Sequence, residues 1–168
     1  CQDFLKYYRY TQKWVDLFEQ NKFMIEVETG HYIKGMHNLL GAHFDLQNYK
    51  KFNEVLDHFE KFSHSRAVSQ NDNNKILVFV YLNISILNKH FTEGTFSDGI
   101  KLVPHIEEKL KEYELYLDRH RVLVFYYKFA SLYFGSGDYE TTIDYLNKII
   151  NWKMDLRTDL QCYSRLLH

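Results

Sequence analysis

The 168-residue chain is 45% hydrophobic and 17% aromatic, with 14 Tyr and 13 Phe, which excludes disorder and predicts a core packed with rings. Its net charge of −1 and pI near 6.8 provide no global attraction to phosphate or anionic lipid, so nucleic acid and membrane are set aside as partners. No run approaches the roughly 18 uncharged apolar residues that cross a bilayer, and Cys1 and Cys162 make no disulfide framework; the expectation is a soluble protein of the cytoplasm.

In chain order, residues 3–22 place Phe4, Tyr7, Tyr8, Trp14, Leu17 and Phe18 at helical spacing and leave Lys6, Arg9 and Lys13 to solvent. This segment reads as the second helix of a truncated hairpin. A first complete hairpin spans 25–62: one helix starts at Ile25 or Thr29 and ends at Phe44, and its partner runs from Tyr49 to Phe62 with Phe52, Val55, Leu56 and Phe59 on one face. Ser63 to Asn74 is polar and reads as a surface loop. A second hairpin spans 75–117, where Pro104 predicts a kink or break near Leu102 because proline lacks an N–H and crowds the preceding turn. Charged residues between Glu107 and Glu112 form a solvated face at i,i+3 and i,i+4 spacing. The third hairpin spans 119–152, and a final helix opens after Asp155 and stops at His168 without a C-cap. The absence of an initiator Met and the apolar pattern at both ends predict a fragment of a longer protein, whose own targeting signal would not be seen. Segments lacking a neighbour at each end further predict self-association.

Three capping residues are each followed at once by a ring: Asn48-Tyr49, Thr95-Phe96 and Asp138-Tyr139. The rings lie 47 and 43 residues apart, too regular for chance and too long for a β-repeat. Residues 126–150 resemble a tetratricopeptide repeat: Ala130 at the small contact site, Tyr133 near the helix end, the Gly137-Asp138-Tyr139 turn, Thr142 at the second small site, and Leu146 and Ile149 inward. In that resemblance Gly tolerates a left-handed turn, Asp caps the next helix and Tyr fills the wedge between the two. The other units depart from the pattern, with Leu40 and Phe52, then Leu87, at small sites; the second keeps Gly99. None has the family's terminal Pro, and the period exceeds the usual one by roughly ten residues. The resemblance implies an all-α fold, one domain over 1–168, wound as a right-handed α-α superhelix of antiparallel hairpins.

Catalytic chemistry finds no support in the residues. Gly94, Gly99 and the Gly135-Ser-Gly137 segment lack the Lys-Ser/Thr ending of a phosphate loop. The nine His show no i,i+4 pair beside a carboxylate, and no Cys-x-x-Cys is present, so no metal or cofactor is expected. Cys162, on an apolar helix, is expected buried and inert.

What the resemblance does imply is a concave groove. Superposing the units on their rings aligns Phe44, Phe91 and Phe134; the neighbouring groove positions include Lys34, His37, Tyr81, Ile84, Asn88, Tyr127 and Ser131. Two readings stay open: the rings pack against an adjoining helix, or they face an extended or helical peptide. The expected function is a non-catalytic protein- or peptide-interaction module, a scaffold or adaptor of bacterial or other cytoplasmic origin. The alternative is a ligand- or peptide-sensing regulatory domain of a bacterial transcription regulator or signalling protein.

Overall fold

A computed structural model of the chain describes residues 3–151 and 158–167. Every regular element among them is helical. They fall into two units that part between Lys89 and His90. The first unit contains α1 (Phe4–Gln20), α2 (Lys22–Val27), α3 (Thr29–Asp45), α4 (Tyr49–Ser63), α5 (Arg66–Ser69) and most of α6 (Asp72–Glu93). The second contains the last turn of α6, then α7 (Phe96–Gly99), a 3-10 turn (Ile100–Leu102), α8 (Val103–Glu112), α9 (Arg119–Ser136), α10 (Tyr139–Ile150) and α11 (Thr158–Leu167).

The same turn joins three helix pairs. Gln47, Gly94 and Gly137, each two residues before its ring, have φ of 55°, 67° and 87°. The next amide reaches back five residues in each case: Asn48 N–H to His43 O at 2.9 Å, Thr95 N–H to His90 O at 3.1 Å, Asp138 N–H to Tyr133 O at 3.0 Å. This is the Schellman termination, in which a left-handed residue lets the amides beyond the helix satisfy its last carbonyls. Asn48 and Asp138 then cap the following helix, accepting from Lys51 N at 3.3 Å and Thr141 N at 3.0 Å. Thr95 does not cap as expected; its hydroxyl pairs with His90 Nδ1 at 2.7 Å instead.

Burial repeats with the turns. Sixteen residues before the rings stand Ile33, Val80 and Leu123, all 0% exposed. Nine before them stand the buried Leu40, Leu87 and Ala130, and three after them the buried Phe52, Gly99 and Thr142. Leu56, Val103 and Leu146 follow at seven, then Phe59, Ile106 and Ile149 at ten, all buried. Each fully buried side chain of this kind contributes roughly 1.5–3 kcal/mol. The sites of departure from the tetratricopeptide pattern are therefore core positions with larger side chains. Where the residue is small, backbones approach: a Cβ on Gly99 would lie 2.8 Å from Leu132 Cδ2, and Thr142 Oγ1 donates to Ala130 O at 3.4 Å.

In the first unit α1, α3 and α4 surround a core of Val15, Phe18, Tyr32, Ile33, Met36, Leu39, Phe52, Leu56 and Phe59. The Tyr32 hydroxyl, on a nearly buried side chain, donates to Glu19 Oε1, and His58 Nε2 lies 3.0 Å from the same hydroxyl, so one polar knot ties α1, α3 and α4. Burial, then Glu19, pushes the Tyr32 phenol well above its ordinary range and keeps it a donor.

Several expectations are corrected. The inward face of α1 is Thr11, Val15 and Phe18 with Trp14 beside Gly35, while Phe4, Tyr7 and Leu17 are exposed; the aromatic count misled because Thr11 and Val15 complete the helical period. Residues 63–74 are not one loop, because α5 forms within them, Val68 is buried, and α6 begins at Asp72. Tyr49 and Tyr139 do not fill a wedge: they are 42% and 60% exposed, and the interior of the third pair is taken by Phe129 and Tyr145. Cys162 is exposed, while Ser164, two residues and about 200° round the helix, is buried. Pro104 stands in the first turn of α8, directly after the 3-10 turn at Ile100–Leu102, as the expected break requires. Trp152, the expected end of the third hairpin, and Asp155, after which the final helix is expected to open, lie outside the described residues.

The turn also supports a prediction. A non-glycine residue at positive φ costs roughly 1 kcal/mol, so Gln47→Gly is expected to stabilise the protein by about 0.5–1 kcal/mol. Gly94→Ala and Gly137→Ala should each destabilise it by about 1 kcal/mol, although nothing within 4 Å would meet the added Cβ. Urea-unfolding midpoints of the three variants check the signs.

Candidate functional site

Helical periodicity places Lys34, His37 and Phe44 on the side of α3 away from Met36, Leu39 and His43, which are buried. None of the ten expected groove residues is buried: Lys34 and Phe134 are exposed, and His37, Phe44, Tyr81, Ile84, Asn88, Phe91, Tyr127 and Ser131 are half-buried. The same register positions are thus at least partly exposed in each of the three helices, beside positions that are buried.

Within the first unit, His37 and Tyr81 come together as a stacked pair, ring centroids 4.2 Å apart and planes 12° apart. Such a pair is a flat, amphipathic contact surface. Phe44 packs onto the core, 6.3 Å from the Phe52 ring, so at this position the packing role holds. Within the second unit, Phe91 lies 6.3 Å from Phe96, and Lys128 Nζ lies 5.5 Å from the Phe91 centroid. Phe134 meets Tyr139 edge-on at 5.6 Å and remains 54% exposed. Ser131 turns its hydroxyl back to Tyr127 O at 2.8 Å, which leaves the small side chain low on the helix surface. The ring of Phe96 covers Gly135, where a Cβ would stand 2.5 Å from it. Two exposed or half-exposed rings, Phe134 and Tyr139, are therefore presented on a rigid turn.

Electrostatics of the second unit centre on two lysines. Lys148 Nζ lies 4.3 Å from the Tyr145 centroid and 3.6 Å from Glu107 Oε1. Burial first, then Glu107, raises the phenols of Tyr126, Tyr133 and Tyr145. Burial draws the Lys128 ammonium down to about 8, overcoming the attraction of the Phe91 ring. Between about pH 8 and 10 the unfolded chain keeps a proton on Lys128 that the folded chain releases, so stability is expected to rise with pH there. Above about pH 10 the unfolded tyrosines ionise while the folded ones stay protonated, and stability should fall. Urea melts across pH 7–11 check this, with Lys128→Met expected to abolish the rising limb.

Among the described residues no group of three His, Cys, Asp or Glu could hold a metal ion. No helix among them is long and apolar enough to cross a membrane. Several carboxylates sit in local ion pairs, such as Lys51–Glu54 at 2.7 Å and Lys109–Glu112 at 2.6 Å. Sequence reasoning missed His43 and the Tyr32–Glu19–His58 knot; the signal for the first was its place six residues before the ring, the position held by His90 and Tyr133 in the other pairs. Compared with family models, with curated proteins and with solved structures, the chain matches none.

Proposed function

We propose that this protein is a non-catalytic protein- or peptide-interaction module whose helix pairs are tetratricopeptide-like units of an α-α superhelix. The observation that carries the reading is the repeated register: one termination, one burial profile and one half-open face recur three times along the chain. A fold needing only a core would have no reason to keep aromatic and polar side chains half-exposed at matching positions of three helices. Repeated units whose buried face is satisfied by neighbours present their other face as an extended binding surface. The stacked His37–Tyr81 pair, the Phe91 ring and the Phe134–Tyr139 pair are the proposed contacts, because large rigid rings lose little entropy when they anchor a partner.

The test is site-specific photocrosslinking. A benzoylphenylalanine at position 134, on the proposed face, is compared with one at position 115, where Leu115 is 93% exposed but lies off that face.

A further inference from the structure

The opposite side of α3 floors a second feature that shares no residue with the half-open face. A cleft of about 390 Å³ opens between α1, α3 and α4 of the first unit, a size within the usual range for small ligands. Val15, Met36, Leu39 and Val55 give it an apolar base. Its rim is negatively biased. Asp16 accepts from Gln12 Nε2 at 2.8 Å, Glu19 pairs with His58 at 3.1 Å, and Glu54 pairs with Lys51 at 2.7 Å, so one lysine stands against three carboxylates.

At the base lies His43, 1% exposed, whose buried Nδ1 has no hydrogen-bond partner. A buried polar nitrogen left unsatisfied is costly, so its retention calls for a reason. The equivalent ring in the next turn, His90, is satisfied by Thr95; Asn48, the residue in Thr95's place, commits its side chain to capping α4. Desolvation first, then Lys51, lowers the His43 pKa below its ordinary value, with Glu54 opposing, so the imidazole is neutral near pH 7 and one ring nitrogen is an acceptor. The Tyr8 ring, 5.2 Å away, closes the side of the site.

We infer that this cleft binds an alkylammonium group, carried by a lysine side chain or by a small aliphatic amine. The hydrocarbon stem lies on Val15, Met36, Leu39 and Val55, and the ammonium donates to His43 Nδ1 and to the rim carboxylates. A carboxylate or phosphate ligand would meet three like charges, and a neutral alcohol would leave that field unused.

The experiment titrates the full chain, with its histidines labelled with 15N, against n-butylammonium chloride while the ring nitrogens are followed by NMR. A saturable shift of His43 Nδ1 is expected. The double variant Asp16→Asn, Glu54→Gln should weaken the apparent affinity at least tenfold with an unchanged melting temperature, since neither carboxylate is part of the core. No saturable shift, an equal response to n-butanol or sodium butyrate, or unchanged affinity in the double variant would overturn the assignment. Nα-acetyl-lysine amide separates the two sources: tighter binding than n-butylammonium supports a lysine on a polypeptide, and equal or weaker binding supports a free amine.

Discussion

Phe129→Ala is expected to cost about 3–5 kcal/mol, the range for deleting a fully buried phenyl ring, and so to unfold the second unit or leave it marginal. Phe129 is 0% exposed and stands among Phe125, Tyr126 and Tyr145, with centroids 5.9, 6.4 and 5.5 Å away. Tyr145, one of its neighbours, is itself held in place by its contacts with Lys148 and Tyr133. Removal therefore leaves a cavity as well as losing the transfer energy. Near-ultraviolet circular dichroism, which reads the packed tyrosines, should collapse together with the thermal transition. A variant that melts like the wild type would show that the ring cluster is not the core of this unit.

The second large effect separates three rings that the sequence treats alike. Phe44→Ala should cost about 2 kcal/mol, below the value for a fully buried ring, because the ring packs on the first unit's core while staying partly exposed. Phe134→Ala should cost under about 1 kcal/mol, since the ring is 54% exposed and touches chiefly Tyr139. Phe91, against Phe96 and Lys128, should fall between them. Chemical denaturation of the single variants checks the order. If Phe134→Ala is the most damaging, the turn rings are structural and the half-open face loses its most accessible contact.

The contrast among these rings shows where sequence reading succeeds and where it stops. Capping chemistry and helical period are local, so the hairpin turns, the inward face of α4 and the break before Pro104 are legible in the residues themselves. Which side of an aromatic-rich helix turns inward is not local. The rings of α1 spread over nearly half of its circumference, and its packing on α3 selects Thr11, Val15 and Phe18 within that arc. Cys162 shows the same limit: its helix has apolar residues on several sides, and Ser164 goes inward. Gln47 hid the first turn's left-handed residue because glycine is the usual sign of one. The shared register of the aligned positions was legible because superposing repeats cancels such ambiguities. The unpartnered nitrogen of His43 was not, since it depends on how Asn48 uses its side chain.

The most direct test of the interaction-module reading is photocrosslinking of the full chain in an extract of its source cells, with benzoylphenylalanine at position 134 or 115. The account predicts a discrete covalent adduct from position 134 that is lost on adding Tyr127→Ala and Tyr139→Ala, with no matching adduct from position 115. Equal adducts from both positions, or one from position 134 that survives both substitutions, would contradict it.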